Sequence, residues 1–160
     1  MYARDTALIA TPIGMVRVTG TAEAVETIEI LAEHGDERQP DRGAVALAAG
    51  QLRAWFAGTR HDFDLPLAPI ATPRGEALRA GMIAIPYGET LSYGALAQQL
   101  VSSARAIGQA CARNPLPIVV PCHRVLNAGG TLGAYSAGNG PTTKSWLLEH
   151  ERRHAGKTLL

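Results

Sequence analysis

A cysteine and a histidine stand side by side at Cys122-His123, after Pro121 and before Arg124, at the end of the apolar run Ile118-Val119-Val120. An unperturbed thiol, with a pKa of about 8.5, is only a few per cent ionised at neutral pH, and an adjacent base is one way to make it a useful nucleophile. The β-branched residues Ile118-Val119-Val120 predict a fully buried strand. Pro121 has no N–H to donate, so pairing should stop where the cysteine begins, placing Cys122 on the wall of a site. A buried structural cysteine is the competing reading, because free cysteine is among the most buried residue types. The second cysteine, Cys111, falls in a helical pattern and reads as core. With only two cysteines, neither a disulfide framework nor a four-cysteine zinc site can be built, and a free thiol in a reducing compartment fits.

Two other stretches could hold a ligand. Ser92 can cap a short helix through Gln99, and Ser102-Ser103 break the pattern before a second helix from Ala104 to about Arg113. This pair has the layout of a helix-turn-helix, and an αα-hairpin packed inside the domain is the alternative. Apart from Arg105, the second helix is built from small residues, Ala104, Ala106, Gly108, Ala110 and Ala112, which would let its backbone approach a groove closely. The loop Gly133 to Gly140, with Tyr135, Ser136 and Ala137, is glycine-rich enough to wrap a flat ligand.

The elements that must position these residues follow from pattern. Residues 7–10 and 15–19 read as two strands joined by the turn Thr11-Pro12-Ile13-Gly14, and residues 24–31 as a third, half-buried antiparallel edge strand. Val45, Ala48, Leu52, Trp55 and Phe56 recur at helical spacing, closed by Gly58. Residues 59–70, with Pro66 and Pro69, read as a linker. Thr72 and Pro73 start another helix, ended by Ile85-Pro86-Tyr87-Gly88, and a final helix, capped by Thr142 or Thr143, runs to Arg152-Arg153-His154. The predicted class is α+β: an N-terminal antiparallel-sheet and helix domain over residues 1–70 and a mainly helical domain over 71–160, with the helix-turn-helix and a buried strand leading to Cys122.

Composition narrows the function classes. Among 160 residues, 46% are hydrophobic and 18% charged. No apolar run approaches membrane-spanning length, and Met1 to Thr6 lack the layout of a signal peptide, so a cytosolic protein without membrane attachment is expected. Residues 1–70 carry six Arg against ten acids, whereas residues 71–160 carry nine Lys or Arg against four acids. That asymmetry points the second half toward a polyanion.

The array Ile85-Pro86-Tyr87-Gly88-Glu89-Thr90-Leu91-Ser92-Tyr93-Gly94, Ala104-Arg105-Ala106-Ile107-Gly108, Asn114-Pro115, Pro121-Cys122-His123-Arg124-Val125, Tyr135-Ser136 and Lys144 with Leu147-Leu148 resembles the O6-alkylguanine-DNA alkyltransferases. The likeness is dense from Ile85 to Glu151 and looser over residues 7–70. It implies a protein that binds duplex DNA from the minor groove, turns out a guanine alkylated at O6 and moves the alkyl group once and irreversibly onto its own cysteine, as a monomer without a cofactor. Carried over, the resemblance makes Cys122 the acceptor, His123 its water-mediated base, Glu151 the carboxylate that orients His123, and Asn114 the holder of the active-site turn. Tyr93 and Lys144 would help protonate the departing guanine, and Tyr93 would also lie against DNA. Tyr135, Ser136 and Ala137 would contact the flipped base. Arg105 would fill the gap in the stack, on a recognition helix whose Ala106 and Gly108 face DNA. Spacing alone leaves Glu149 beside Glu151, and the family pattern selects Glu151. Arg124 reads as a structural hydrogen-bonding residue, and Lys144 as either a site residue or a solvated helix residue.

Some positions depart from that pattern. Arg74-Gly75 and Leu78-Arg79 replace a Phe-Gln and a Val-Trp pair, which implies repacking of the helix or arginines that reach phosphate. The turn between the two short helices is shorter than usual and the loop from Tyr135 to Lys144 longer. Ala137 stands where the family commonly has glycine, so its methyl should narrow the pocket against bulky adducts. The N-terminal zinc site of some relatives has no cysteine here, and no metal is expected. Two other function classes compete: a non-reacting module that binds alkylated DNA, opposed by the presence of Cys122, and a Cys-His hydrolase, for which no oxyanion site is signalled.

Overall fold

The computed structural model describes residues 4–31 and 33–156. The first three positions of the stretch read against a signal peptide lie outside that range. Two compact units are present, one whose described residues run to Ala68 and include Gly156, and one spanning Pro69–Ala155.

In the first unit, β1 (Asp5–Thr11), β2 (Gly14–Gly20) and β3 (Val25–Leu31) form an antiparallel sheet in the order β1-β2-β3. Thr11 Oγ1 donates to Gly14 O at 2.6 Å across the tight β1–β2 turn, where Gly14 takes φ 107°. The imperfect alternation in β3 has a local cause. The register shifts between Thr19 and Gly20, so Glu26 is bulged, and Val25 and Ile28 both turn inward although they are three apart. Helix α1 (Ala44–Phe56) lays Val45, Ala48, Leu52 and Trp55 against the three strands, and Gly58, at φ 79°, closes it by donating to Trp55 O at 3.1 Å.

The second unit holds α2 (Pro73–Ile83), β4 (Leu91–Ser92), α3 (Tyr93–Gln99), α4 (Ala104–Ala112), a 3-10 turn at Cys122–Arg124, β5 (Val125–Leu126) and α5 (Pro141–His154). Three of its helices, α2, α3 and α4, start at side-chain caps. Thr72, Ser92 and Ser103 accept from the backbone N–H of Gly75, Ala95 and Ala106 at 3.0, 3.0 and 3.1 Å. The α3–α4 pair is a helix-turn-helix whose short turn places the exposed Val101 at φ 52°. Arg74 neither repacks inward nor stands free for phosphate. Its two terminal nitrogens donate to Leu100 O at 3.3 Å and Val101 O at 2.9 Å, capping the carbonyls that α3 leaves open at its end. Arg79 is buried.

Two expectations fail here. Ile118-Val119-Val120 is buried as predicted but is not a strand; it is a turn, and the short strand β5 lies after the cysteine and pairs in parallel with β4. Pro115, Pro117 and Pro121 leave too few donors for a ladder, Ile118 turns back at φ 75°, and Val120 N–H is spent locally on Leu116 O at 2.9 Å. The final helix is not capped by Thr142 or Thr143. It begins at Pro141 after Gly140, and the Thr143 hydroxyl reaches back to accept from Asn139 N–H at 2.8 Å. No helix among the described residues is long and apolar enough to cross a membrane.

Candidate active site

Asn114 holds the turn that carries Cys122. Its side-chain carbonyl accepts from Leu116 N–H at 3.0 Å, and its amide nitrogen reaches Val120 O at 2.9 Å and Cys122 Sγ at 3.3 Å. One side chain thus fixes both ends of the proline-rich segment and supplies a donor to the sulfur. The Cys122 thiol is drawn below its ordinary range, first by the neighbouring Cys111 thiol and then, against burial, by Asn114 and the Lys144 charge.

Behind the cysteine lies a buried charged cluster. His123 is 0% and Glu151 1% exposed, and His123 Nε2 lies 2.7 Å from Glu151 Oε2. Burial pushes the Glu151 carboxyl up, but His123 and Arg124 outweigh it and hold it down to about 2. With the carboxylate ionised, His123 donates from Nε2 and its basic lone pair is on Nδ1. Burial lowers the His123 pKa against the pull of Glu151, so the ring is neutral at physiological pH. Arg124 grips Glu151 through Nε at 2.9 Å and Nη2 at 2.8 Å and donates from Nη1 to Ile85 O at 2.6 Å. It is a structural hydrogen-bonding residue, and Gly88 N–H adds a further donor to Glu151 at 3.1 Å. Glu149, the alternative by spacing, instead pairs with Arg152 on the surface.

Lys144 is not solvated. It is fully buried on α5, donates to Val125 O at 2.7 Å and Ala134 O at 3.3 Å, and stands 5.8 Å over the Tyr93 ring. Burial lowers its pKa, while Cys111 and Cys122 oppose that shift. Tyr93 and Tyr135 are both raised, chiefly by burial, and Tyr135 Oη is buried without a hydrogen-bond partner.

A cavity of about 240 Å³ opens in front of the sulfur, lined by Tyr93, Gly108, Cys111, Ala112, Cys122, Ala134, Tyr135 and Ser136. Five of the residues picked from sequence therefore share one wall: Tyr93, Gly108, Cys122, Tyr135 and Ser136. Asn114, His123, Lys144 and Glu151 support that wall from behind. Arg105 is exposed near the start of α4 with Ala106 half-buried beside it, away from the cavity lining. Ala137 is not on the lining either. Its carbonyl accepts from Gly140 N–H at 3.0 Å in the loop, so its methyl does not narrow the cavity as expected. Cys111, Ala112 and Ala134 were missed from sequence. For the first two the signal was available, because they lie three and four residues after Gly108 on the same face of α4. Among the described residues, no group of three or more His, Cys, Asp or Glu side chains could hold a metal ion.

Residues 76–153 match the family described as 6-O-methylguanine DNA methyltransferase, DNA binding domain. The methylated-DNA–protein-cysteine methyltransferase of Mycobacterium tuberculosis is 38% identical over 153 residues, covering 92% of each chain. The constitutive one of Bacillus subtilis is 44% identical over 110 residues, 68% of this chain and 66% of that one. The crystal structure of the M. tuberculosis O6-methylguanine methyltransferase matches with a TM-score of 0.81 at 36% identity, covering 98% of both chains. That of M. tuberculosis OGT in complex with DNA gives 0.79 at 38% identity over 92% of both. Likeness at this level over nearly the whole length means that the chain belongs to the methylated-DNA–protein-cysteine methyltransferase family.

Proposed function

We propose that this protein repairs DNA by direct reversal, taking the alkyl group from O6 of an alkylated guanine in duplex DNA onto Cys122 in a single, irreversible turnover. The observation that carries this reading is the Cys122 sulfur on a cavity wall, held by Asn114 and drawn toward the thiolate, with a neutral His123 and an ionised Glu151 behind it.

The protein works as a monomer. Helix α4 enters the minor groove, where Ala106 and Gly108 let its backbone come close and Arg105 fills the space vacated by the flipped guanine. Flipping costs a few kcal/mol, less for a poorly paired lesion, and phosphate contacts with the inserted arginine offset it. The base enters the cavity against Tyr135, Ser136 and the adjoining Ala137 loop, where the unpartnered Tyr135 hydroxyl is available to it. His123 accepts the Cys122 proton through a water, and Glu151 stabilises the resulting imidazolium. The thiolate attacks the alkyl carbon: the S–C bond forms, the C–O6 bond breaks, and its electron pair goes to the guanine. Tyr93 and Lys144 help return a proton to that base. Every electron and proton is accounted for by protein and substrate, so the reaction calls for no cofactor.

Ionising the thiol gains only about thirtyfold in rate, near 2 kcal/mol. Holding the sulfur in line with the carbon and protonating the leaving group supply the larger share. Titration with a duplex containing O6-methylguanine tests the proposal: one lesion should be repaired per protein chain and the protein left inert. Binding without any loss of the lesion would instead identify a non-reacting alkylated-DNA module.

A further inference from the structure

The transfer just described uses one sulfur, yet two face the cavity. Cys111 sits next to last in α4 and Cys122 opens the 3-10 turn, and both line the same cavity. Both sulfurs belong to residues of this one cavity lining, and the Cys111 thiol, which bonds the Met82 thioether at 3.6 Å, is near enough to Cys122 to bear on its ionisation. Cys111 stands in the last turn of its helix, and its carbonyl accepts from Asn114 N–H at 3.3 Å, which ties that turn to the residue holding Cys122.

We propose that Cys111 and Cys122 are the two halves of an oxidisable dithiol site that a hydroperoxide converts to a reversible disulfide, closing the alkyl acceptor without consuming it. In the first step the Cys122 thiolate attacks the O–O bond of hydrogen peroxide. An S–O bond forms, O–O breaks, and the sulfur, oxidised by two electrons, becomes a sulfenic acid as hydroxide leaves to be protonated to water. In the second step the Cys111 sulfur attacks the Cys122 sulfur. An S–S bond forms, S–O breaks, and hydroxide departs with the Cys111 proton as water. Two thiols and one peroxide thus give one disulfide and two waters, and a dithiol reductant reverses the change.

The environment of each sulfur suits this order. Cys111 itself, then Asn114 and Lys144, favour the thiolate on Cys122, whereas Cys111 keeps its proton because Cys122 and burial hold its pKa up. A sulfenic acid carries no charge, so the repulsion that a Cys122 thiolate adds to the restraint on Cys111 disappears once Cys122 is oxidised. Without a resolving thiol, a sulfenic acid proceeds to sulfinic acid and the acceptor is lost. Cys111 would divert Cys122 from that fate.

The consequence for repair rests on Cys122 being the alkyl acceptor, but the bond itself does not. The full chain is treated with a small excess of hydrogen peroxide, and its intact mass, its peptide map and its transfer from an O6-methylguanine duplex are read before and after dithiothreitol. The expected result is loss of two hydrogens, a Cys111–Cys122 cross-linked peptide, and transfer reduced at least about tenfold and restored by the dithiol. The Cys111→Ser variant, treated alike, should gain two oxygens on Cys122, as the sulfinic acid, and stay inactive after reduction. Oxygen added to wild-type Cys122 with no cross-link would overturn the proposal, and this arm decides it whether or not the variant folds. Equal recovery of wild type and variant would overturn it as well. A cross-link that leaves transfer unchanged would uphold the disulfide and contradict Cys122 as acceptor.

Discussion

The two faces of the Cys122 region are built on opposite principles. Behind the sulfur, His123, Arg124, Lys144 and Glu151 are buried and hydrogen-bonded to one another or to backbone carbonyls. On the outer face of α4, Ala104, Arg105 and Gln109 are exposed, and the helix buries only Ile107. Buried charges tolerate no missing partner, so the inner cluster has to be complete before any substrate arrives. The outer face is determined by little inside the protein, and what it is shaped for is external. Substitutions on the inner face should therefore cost stability and chemistry together, and those on the outer face should cost the duplex alone.

The sharpest contrast comes from the sulfur itself. Cys122→Ala should abolish transfer while the variant still retards an O6-methylguanine duplex in a gel shift; residual single-turnover transfer would break the account. Next, Glu151→Gln leaves the Arg124 guanidinium buried without its carboxylate. The expected cost is about 3 kcal/mol or more in urea unfolding, with slower transfer besides. A variant as stable as wild type would erase the distinction between the faces.

Acid should act on the same cluster. The Glu151 carboxyl moves from its ordinary 4.5 down to about 2 on folding, so its contribution is complete above pH 4.5 and is lost as pH falls toward 2. That shift amounts to about 3 kcal/mol. The neutral, buried His123 adds a loss of the same sign, beginning below its ordinary 6.5. Urea midpoints measured from pH 7 to pH 3 should fall in wild type and fall less in Glu151→Gln; parallel curves would contradict the assignment.

On the outer face, Arg105→Ala should slow transfer from duplex by about ten- to a hundredfold, leave transfer from free O6-methylguanine nearly intact, and change stability by no more than about 0.5 kcal/mol. Equal losses on duplex and free base would remove its base-flipping role. The smallest effect is expected from Arg74→Ala, which uncaps Leu100 and Val101. A loss of about 1 kcal/mol in urea unfolding is expected, and no change would mean that solvent satisfies those carbonyls equally well.

Much of this was legible in the sequence where one local rule sufficed. The Thr72 and Ser92 caps, the Thr11–Gly14 turn and the α1 stripe each depend on neighbours within a few residues, and each is found where pattern put it. The segment Ile118–Val120 was misread because β-branched composition reports burial, while the backbone path was decided by three flanking prolines. Lys144 was ambiguous for a different reason. A lysine near the start of a helix looks solvated unless the carbonyls it will meet, at Val125 and Ala134, are known to converge there. Arg74 likewise takes its meaning from residues far along the chain, Leu100 and Val101, and no periodicity announces such partners.

With two cysteines lining one cavity, the most direct measurement is site-resolved mass spectrometry of the protein after reaction, under reducing conditions, with a duplex containing O6-methylguanine. One methyl per chain is expected, all of it on Cys122, with Cys111 unmodified. Methyl on Cys111, or an unmodified protein bound to a duplex that still carries its lesion, would contradict it.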